Sequence, residues 1–386
     1  MTLEIIIQAI ISGLLMGFVY ALIAAGLSLI FGLMEIVNFA HGEFMMLGMY
    51  AAFWLWSLFG LDPLVSLPIC AALLFCLGVA THYGIIRHIL NASMLVQICA
   101  TFGLAIFLRA SAQFLWTPDF RTISHPIVEG RVEIMGIFIG LPQLVASLGC
   151  LLAFAGLYVF INRSDTGLAL QATAQDREAA SLMGIPTDRM YALGWGIGSA
   201  CVGVAGGLLA MFYFIFPEVG FLFALLAYVA VAMGGFGSIT GALFAGLLLG
   251  LGMSATSFAV VLSAVGRVVS PERRSLAFGV VSALGSLGQL AMVPAGQAFL
   301  EAYGWPTAFL IFAVITLFMV PVAAAMRGRA DTTQLAARPE ESLGQVLKLA
   351  MGNSSYRYLV AGFFVCGFHV MFIATHLPAY LTDAGF

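Results

Sequence analysis

Residues 5–33 read IIIQAIISGLLMGFVYALIAAGLSLIFGL, a stretch without a charged side chain. A helix needs about 20 consecutive apolar residues to cross the hydrocarbon core of a bilayer, and this stretch is long enough to do so. A secretory signal peptide would show a basic segment before it and an A-x-A cleavage site after it, and the sequence has neither. The stretch therefore predicts a transmembrane helix that the protein retains.

The composition of the whole chain indicates the same lipid environment. Hydrophobic residues make up 62% of the chain, charged residues make up 9%, and the mean hydropathy is +1.06. A soluble domain carries about 25% charged residues. Apolar stretches of spanning length recur, and few segments alternate as the strands of a membrane barrel do. The sequence predicts an all-α polytopic membrane protein embedded in the lipid bilayer.

Turn and helix-start signals, such as DP at 62–63 and GLP at 140–142, separate the apolar stretches. They divide the chain into further predicted helices, one pair of which is broken by glycines at 235–237. The predicted spans after the first are 43–60, 64–88, 93–116, 141–161, 190–216, the broken pair 219–234 and 238–265, and then 277–299, 306–326 and 357–380.

Basic residues indicate the orientation of these helices. Arg163, Arg177 and Arg189 lie in the polar segment 162–189, and Arg87 lies at the end of the third predicted span. By the positive-inside rule both places face the cytoplasm. Counting back through the spans puts the N-terminus outside and makes residues 117–140 an extracytoplasmic loop.

The polar segment is the most informative part of the chain for function. It reads NRSDTGLALQATAQDREAASLMGIP over residues 162–186. Asp165 or Thr166 can cap a helix whose end is marked by Gly184 and Pro186. Its side chains are too polar to cross a bilayer, and loops of this length are usually functional. An ordinary solvated loop between two spans is the alternative.

The segment resembles the cytoplasmic coupling segment of branched-chain amino acid ABC transporter permeases of the LivH class. The matching pattern is Asp-x-x-Ala-Ala-x-x-x-Gly-Ile at 176–185, and the stretches GLSLIFGLMEIVNFAHGEFMMLG at 26–48 and MGGFGSITGA at 233–242 are also typical of that family. The resemblance covers residues 1–250. The residues that it assigns to ATPase coupling are Gly167, Asp176, Arg177, Ala179, Ala180 and Gly184.

This resemblance implies a permease subunit of an importer in the bacterial cytoplasmic (inner) membrane. The implied partners are a second permease subunit, two cytosolic ATPases and a periplasmic protein that delivers branched-chain or related amino acids. The chain has one lysine and no G-x-x-x-x-G-K-[ST] motif, so ATP is expected on the partner ATPases. We expect no enzymatic activity, and no cofactor, metal or nucleic acid bound by this chain.

The stretch NFAHGE at residues 38–43 interrupts apolar sequence and allows two interpretations. Polar groups at a helix break inside a membrane often line a solute path. Equally, Asn38 could cap the next helix in a cytoplasmic turn, with Glu43 near its start. Arg109 is expected to reach toward the membrane surface, and a role in binding a substrate carboxylate is the alternative. The residues that we assign to a translocation path are Asn38, His41, Gly42, Glu43, Gly234, Gly235 and Gly237. The glycines at 234–237 are expected first to permit a tight break between two helices, and lining the pore is their second possible role.

The C-terminal third resembles a different family, the major facilitator superfamily. Residues 252–279 are similar to its fourth helix and following loop, residues 285–297 to its fifth helix, and 306–326 and 362–381 to its sixth and seventh. The sequence therefore predicts a permease domain over 1–250 and a partial facilitator segment of about four helices over 251–386. His369 and His376 would be proton or substrate candidates, or packing residues.

Two alternative interpretations follow from this second resemblance. The chain could be a secondary transporter of small carboxylates, or a fused and truncated hybrid without function. The facilitator fold needs helices that this chain lacks, which favours the importer permease.

Overall fold

The computed structural model describes residues 3–124, 126–134, 137–255 and 273–317, with isolated positions at 261, 265, 269, 352 and 357. The chain divides into two compact units, Met1–Arg329 and Ala330–Phe386. Apart from two positions, the second unit lies outside the described residues. The predicted helix at 357–380, with His369 and His376, also lies outside the described residues except for Arg357. The predicted helix at 306–326 is described up to residue 317.

Helices dominate the described residues, as the composition predicts, and the all-α fold class is confirmed. A two-stranded hairpin in the loop before α6 is the exception that the sequence analysis missed. In chain order the elements are α1 (Leu3–Met34), α2 (His41–Phe59), α3 (Pro63–Thr81), a π-helical segment (His82–Ile86), α4 (Arg87–Ile89), α5 (Met94–Trp116), β1 (Arg131–Ile134), β2 (Ile137–Gly140), α6 (Leu141–Arg163), α7 (Asp165–Gln175), α8 (Arg177–Leu182), α9 (Thr187–Leu209), α10 (Val219–Gly234), α11 (Ile239–Ala255) and α12 (Arg274–Leu317).

Helix α1 lies at the centre of the bundle and packs along α11 through small residues. Two glycines in each helix, four residues apart, face one another: Gly13 and Gly17 in α1, and Gly246 and Gly250 in α11. A Cβ on Gly13 would lie 2.9 Å from the Gly250 carbonyl oxygen, so neither backbone leaves room for a side chain there. Close approach of this kind is how helices associate in lipid, where the hydrophobic effect between helices is lost. Residues up to Ser254 therefore belong to this packed bundle.

Helices α10 and α11 form a V with a bend of 119° between them. Gly235 and Gly237, in the connection, have φ angles of +91° and +82°. Side-chain-bearing residues adopt this region at a cost of about 1 kcal/mol or more, which explains the glycines. The predicted tight break in the glycine-rich segment is confirmed.

Helix α12 combines two predicted spans and is broken at Gly304, where φ is +73° and ψ is 168°. The rings of Phe299 and Phe312, one on each side of the break, lie 5.9 Å apart. In the most apolar 18-residue window of this helix, no residue is buried among the described parts of the chain. Six described helices are long and apolar enough to cross a membrane, or seven if the V counts as one span.

Candidate translocation and coupling sites

The NFAHGE segment lies inside the bundle. Beyond α1 the chain turns back at Glu35, whose φ is +55°, and His41 Nε2 lies 2.9 Å from the carbonyl oxygen of Ile23. At 1.5 Å per residue, Ile23 is roughly 16 Å along α1 from its last residue, Met34. Helix α2 therefore begins beside the middle of α1, well away from the end of that helix.

Burial excludes one of the two interpretations of this segment. Asn38, His41 and Glu43 are each at most 1% exposed, so the hypothesis of a solvated cytoplasmic turn is wrong. Asn38 Oδ1 accepts a hydrogen bond from Ala40 N at 3.1 Å, which closes a turn before α2 and leaves the first turn of the helix itself without a side-chain cap. Thr101 of α5 donates to the Val37 carbonyl at 2.9 Å. These bonds satisfy polar backbone groups of the irregular connection between α1 and α2.

The first turns of α2 and α10 meet at this break. A Cβ on Gly220 would lie 2.6 Å from the carbonyl oxygen of Gly42 and 2.8 Å from Glu43 Oε2. Both helices thus present their N-terminal ends, which carry partial positive charge, to the same interior place. The Glu43 carboxylate lies between them, and its Oε2 atom has no hydrogen-bond partner among the described residues.

Arg109 of α5 is the counter-ion of Glu43. Its Nε donates to Glu43 Oε1 at 3.1 Å, and its Nη2 donates to the same oxygen. The guanidinium also lies over the Phe221 ring, 5.4 Å from the centroid. The expectation that Arg109 reaches to the membrane surface is therefore wrong. A carboxylate that is 2% exposed needs a paired cation, since the cost of burying it alone is several kcal/mol.

The predicted path glycines Gly234, Gly235 and Gly237 lie at the other end of α10 from Gly42. Gly220, which touches Gly42, is separated from Gly234 by roughly 21 Å of helix. The structure thus places the predicted path residues in two groups at the two ends of α10. Tyr228 lies on α10 between the two groups, and its ring centroid is 5.5 Å from that of Phe39.

The predicted coupling loop consists of two short helices where the sequence analysis predicted one. Ser164 caps α7 by accepting from Gly167 N at 2.9 Å. Asp176 caps α8 through its Oδ1, which accepts from Glu178 N and Ala179 N at 2.9 and 3.0 Å. The predicted cap at Asp165 or Thr166 is therefore wrong, and Asp176 begins a helix where a mid-helix position was expected.

Helix α8 projects from the bundle and presents an apolar tip. Leu182 is 88% exposed and Met183 is 83% exposed, and Asp176, Arg177 and Ala179 are exposed as well. Ala180 alone faces inward. Gly184, with a φ of +85°, ends the helix as the sequence predicts. Gly167 packs so closely on the last turn of α6 that a Cβ would lie 2.6 Å from Ile161 Cα.

The sequence did not predict a set of contacts that joins this loop and the start of α9 to the π-helical segment and α4. The Arg177 guanidinium lies over the Tyr191 ring at 5.4 Å, and the buried His82 ring meets the same tyrosine edge-on at 6.5 Å. His82 Nε2 is 3.3 Å from Asp188 Oδ1, and Arg87 Nε is 3.8 Å from it. His82 opens the π-helical segment, a distortion often found at functional sites. These partners are far apart in the sequence, so no local pattern could have joined them.

The bundle, the interior helix break and the projecting helix together define a polytopic transport protein of the membrane. The family model "Branched-chain amino acid transport system / permease component" matches residues 9–271. The chain belongs to this family, and it is a multi-pass protein of the bacterial inner membrane. The match includes residues 251–271, which the sequence analysis placed in the second part.

Curated relatives agree with the family. The chain is 34% identical over 267 residues to the high-affinity branched-chain amino acid transport system permease protein LivH of Escherichia coli, covering 65% of this chain and 86% of the relative. It is 34% identical over 258 residues to the permease protein BraD of Pseudomonas aeruginosa, covering 64% and 84%. A probable LivH of Methanocaldococcus jannaschii is 29% identical over 264 residues, covering 64% and 82%. No solved structure matches the chain. These relatives are transport permeases, consistent with the expectation that the chain is not an enzyme.

Proposed function

We propose that this chain is a permease subunit of an ATP-binding-cassette importer for branched-chain or related amino acids. The proposal rests on sequence similarity. Residues 9–271 match a family of branched-chain amino acid transport permeases, and the relatives LivH and BraD are named as permeases of the same transport. The proposed assembly contains a second permease subunit, two cytosolic ATPases that bind ATP, and a periplasmic amino-acid-binding protein.

In the proposed mechanism α8 transmits the motion of the ATPases. Its exposed apolar tip, Leu182 and Met183, would be buried in a cleft of an ATPase. The contacts from Arg177 to Tyr191, and from Asp188 to His82, then connect that movement to α9 and to the π-helical segment that follows α3. ATP hydrolysis would thereby tilt the bundle and switch the side from which the path is open.

The proposed path runs past the two groups of residues at the ends of α10. Asn38, His41, Gly42 and Glu43 form the interior group, where two helix N-termini and the pair with Arg109 supply both signs of charge. A zwitterion needs both signs once it leaves water. Gly234, Gly235 and Gly237 form the cytoplasmic group, where they let the backbone approach the path closely.

Uptake by the reconstituted complex tests this function. Proteoliposomes would contain the chain, the partner subunits and the binding protein, with labelled leucine outside and ATP inside. Ala180→Pro removes the hydrogen bond from Ala180 N to the Asp176 carbonyl, 3.0 Å long, and should unfold the short helix α8. Thr187→Pro is the control, because proline is tolerated at the first position of a helix.

The proposal expects ATP-dependent uptake that Ala180→Pro abolishes and Thr187→Pro preserves. Uptake that survives Ala180→Pro would reject α8 as the coupling helix. Uptake that continues without ATP but stops with a protonophore would reject the importer function. No uptake under either condition would favour the non-functional hybrid.

Residues from 272 onward lie outside the family match. Within the proposal they form a partial facilitator-like segment joined to the permease. The proposed boundary lies near residue 271, whereas the sequence predicted it at 250. No specific observation favours a secondary transporter of small carboxylates, and we do not propose that function.

A further inference from the structure

An open apolar groove lies on the surface of the bundle between α3 and α6, with α9 as its floor. Apart from the Cys201 thiol, the described lining residues carry hydrocarbon side chains or, at Gly156, none. A Cβ added to Gly156 would meet no atom within 4 Å. In a bilayer such a surface is covered by lipid or by another membrane helix. Six residues of the lining are Phe75 of α3, Gly156 and Phe160 of α6, and Ile197, Ala200 and Val204 of α9.

The groove leads to two arginines. On α6, Phe160 lies four residues after Gly156, and Arg163, the last residue of the helix, lies three residues after Phe160. On α9, Arg189 lies two turns before Ile197. Residues at these spacings share one face of a helix, so each arginine lies on a face that lines the groove. Both arginines are exposed, and the positive-inside rule places them at the cytoplasmic surface.

The packing of α6 on α9 brings the two arginines close together. The Leu208 side chain packs against Gly149, and the two spans run in opposite directions because both border the coupling loop. Counting equal numbers of residues along both helices from this contact places Arg163 level with Gly194. Arg189 then lies roughly 8 Å further toward the cytoplasm. The two long side chains can therefore reach one phosphate group at the membrane surface.

The depth and volume of the groove fit one acyl chain. Ala153, the lining residue of α6 furthest from Arg163, is separated from it by roughly 15 Å of helix. That is half of a hydrocarbon core of about 30 Å, which is the depth of one leaflet. The volume of the groove is about 290 Å³. One turn of a helix with its side chains fills roughly 400–600 Å³, so a helix of another subunit does not fit inside the groove.

The charges at the cytoplasmic end of the groove favour an anion. Neither Arg163 nor Arg189 forms an ion pair within the described ranges of the chain. Asp188 beside Arg189 already lies 3.8 Å from Arg87, and Asp165 on α7 pairs with neither arginine. Arginine side chains bind phosphate through charge-assisted hydrogen bonds. A head group that also carries a cation fits less well, because that cation would lie among arginines.

We propose that this groove binds an anionic phospholipid of the cytoplasmic leaflet, with one acyl chain between α3 and α6 and the phosphate between Arg163 and Arg189. The ligand is a glycerophospholipid whose head group has no cation, such as phosphatidylglycerol. The same two arginines flank the coupling loop, so the bound phosphate holds the two ends of that loop together. This consequence for coupling rests on the proposed function, whereas the lipid site does not.

Native mass spectrometry measures the bound lipid on the full chain, alone and in complex with its partner permease and ATPases. The probes are phosphatidylglycerol and phosphatidylethanolamine with identical acyl chains, titrated into detergent micelles. We expect phosphatidylglycerol to bind with a dissociation constant about tenfold lower or better, to the chain and to the complex alike. Equal binding of the two lipids would overturn the proposal. Binding to the chain but not to the complex would also overturn it, because another subunit would then cover the groove.

Three variants locate the site. Arg163→Gln and Arg189→Gln each remove one guanidinium group, and should raise the dissociation constant of phosphatidylglycerol about tenfold, as expected for a hydrogen bond between charged groups. Gly156→Leu places a side chain in the groove without colliding with the bundle. It should raise the constant about fivefold, as expected when one or two methylene groups are kept out of an apolar site. Unchanged binding in Gly156→Leu would reject the groove, and unchanged binding in both arginine variants would reject the head-group site.

Matched controls separate these effects from general changes of charge and volume. Arg273→Gln removes an exposed arginine that does not line the groove. Gly103→Leu adds the same side chain on α5, at a glycine where an added Cβ would also meet no atom within 4 Å. Both controls should bind phosphatidylglycerol like the native chain. Melting temperatures close to that of the native chain show that the variants fold.

ATP-driven leucine uptake tests the consequence for the coupling loop. Native proteoliposomes that contain phosphatidylglycerol should import leucine faster than those with phosphatidylethanolamine alone, and the difference should disappear in Arg163→Gln. Equal uptake in the two lipids, with binding as expected, would reject the link to the coupling loop. If the lipid binds and no leucine is imported, the proposed function fails while the site stands. If import occurs and the three variants leave binding unchanged, the site fails while the function stands.

Discussion

Arg109 and Glu43, which lie 66 positions apart in the chain, form an ion pair inside the bundle, with Arg109 Nε 3.1 Å from Glu43 Oε1. The pair lies where the N-termini of α2 and α10 touch. The two partners are not equally buried: the glutamate side chain is 2% exposed and the arginine side chain 28%. This asymmetry predicts that removing one partner has a larger effect than removing the other.

Replacing Arg109 should destabilise the chain more than replacing Glu43. Arg109→Gln leaves a buried carboxylate without a cation, which costs about 3–5 kcal/mol. Glu43→Gln keeps a side-chain oxygen that can accept from Arg109 Nε, and should cost about 1 kcal/mol. The double variant should recover most of the loss of Arg109→Gln. Melting temperatures of the purified chain in detergent measure all three, and equal losses in the two single variants would contradict the predicted effect of the unequal burial of the two partners.

The contact between α2 and α10 predicts that replacement by alanine is costly at one glycine and harmless at another. Gly42→Ala should cost about 1–3 kcal/mol or more, since the added methyl group collides with the carbonyl of Gly220. Gly103→Ala is the matched control, because Gly103 lies within α5 with no atom within 4 Å of an added Cβ. That change should be neutral, or stabilise the helix by about 0.5–1 kcal/mol. Thermal melting separates the two, and a neutral Gly42→Ala would show that the helices are further apart.

The capping bonds of Asp176 predict that its shape matters more than its charge. Asp176→Asn keeps an acceptor for Glu178 N and Ala179 N, whereas Asp176→Ala loses both bonds and about 1 kcal/mol of helix stability. A helix of six residues has little stability of its own. The alanine variant should therefore use more ATP per leucine imported, and the asparagine variant should resemble the native chain. If both variants were equally impaired, the charge itself would be what the ATPase recognises.

Local signals were sufficient to predict much of the helix order. The start of α6 at the GLP sequence, the end of α8 at Gly184 and the break at Gly235 each depend on residues close together in the chain. In the coupling loop, three consecutive residues could each cap a helix, namely Ser164, Asp165 and Thr166. Sequence alone could not choose among them, and the structure shows that the first one does so.

The interior site could be predicted only in part. The polar residues of the NFAHGE segment were visible as interruptions of an apolar stretch. Their depth was not visible, since it depends on the chain turning back after Met34 to place His41 beside Ile23. Arg109 illustrates the same limit, because a charged residue near the end of a span is usually drawn to the surface unless a distant carboxylate pairs with it.

The packing of α11 on α1 predicts where the chain can be shortened. A chain ending at residue 271 keeps the α1–α11 contact and loses α12, whose most apolar window buries no residue among the described parts. It should run as a single species on size-exclusion chromatography in detergent and retain leucine uptake with its partners. A chain ending at residue 238 lacks α11 and exposes the glycine face of α1, so it should aggregate. Should the first truncation aggregate like the second, the C-terminal part would be integral to the permease, and the two-part organisation would be rejected.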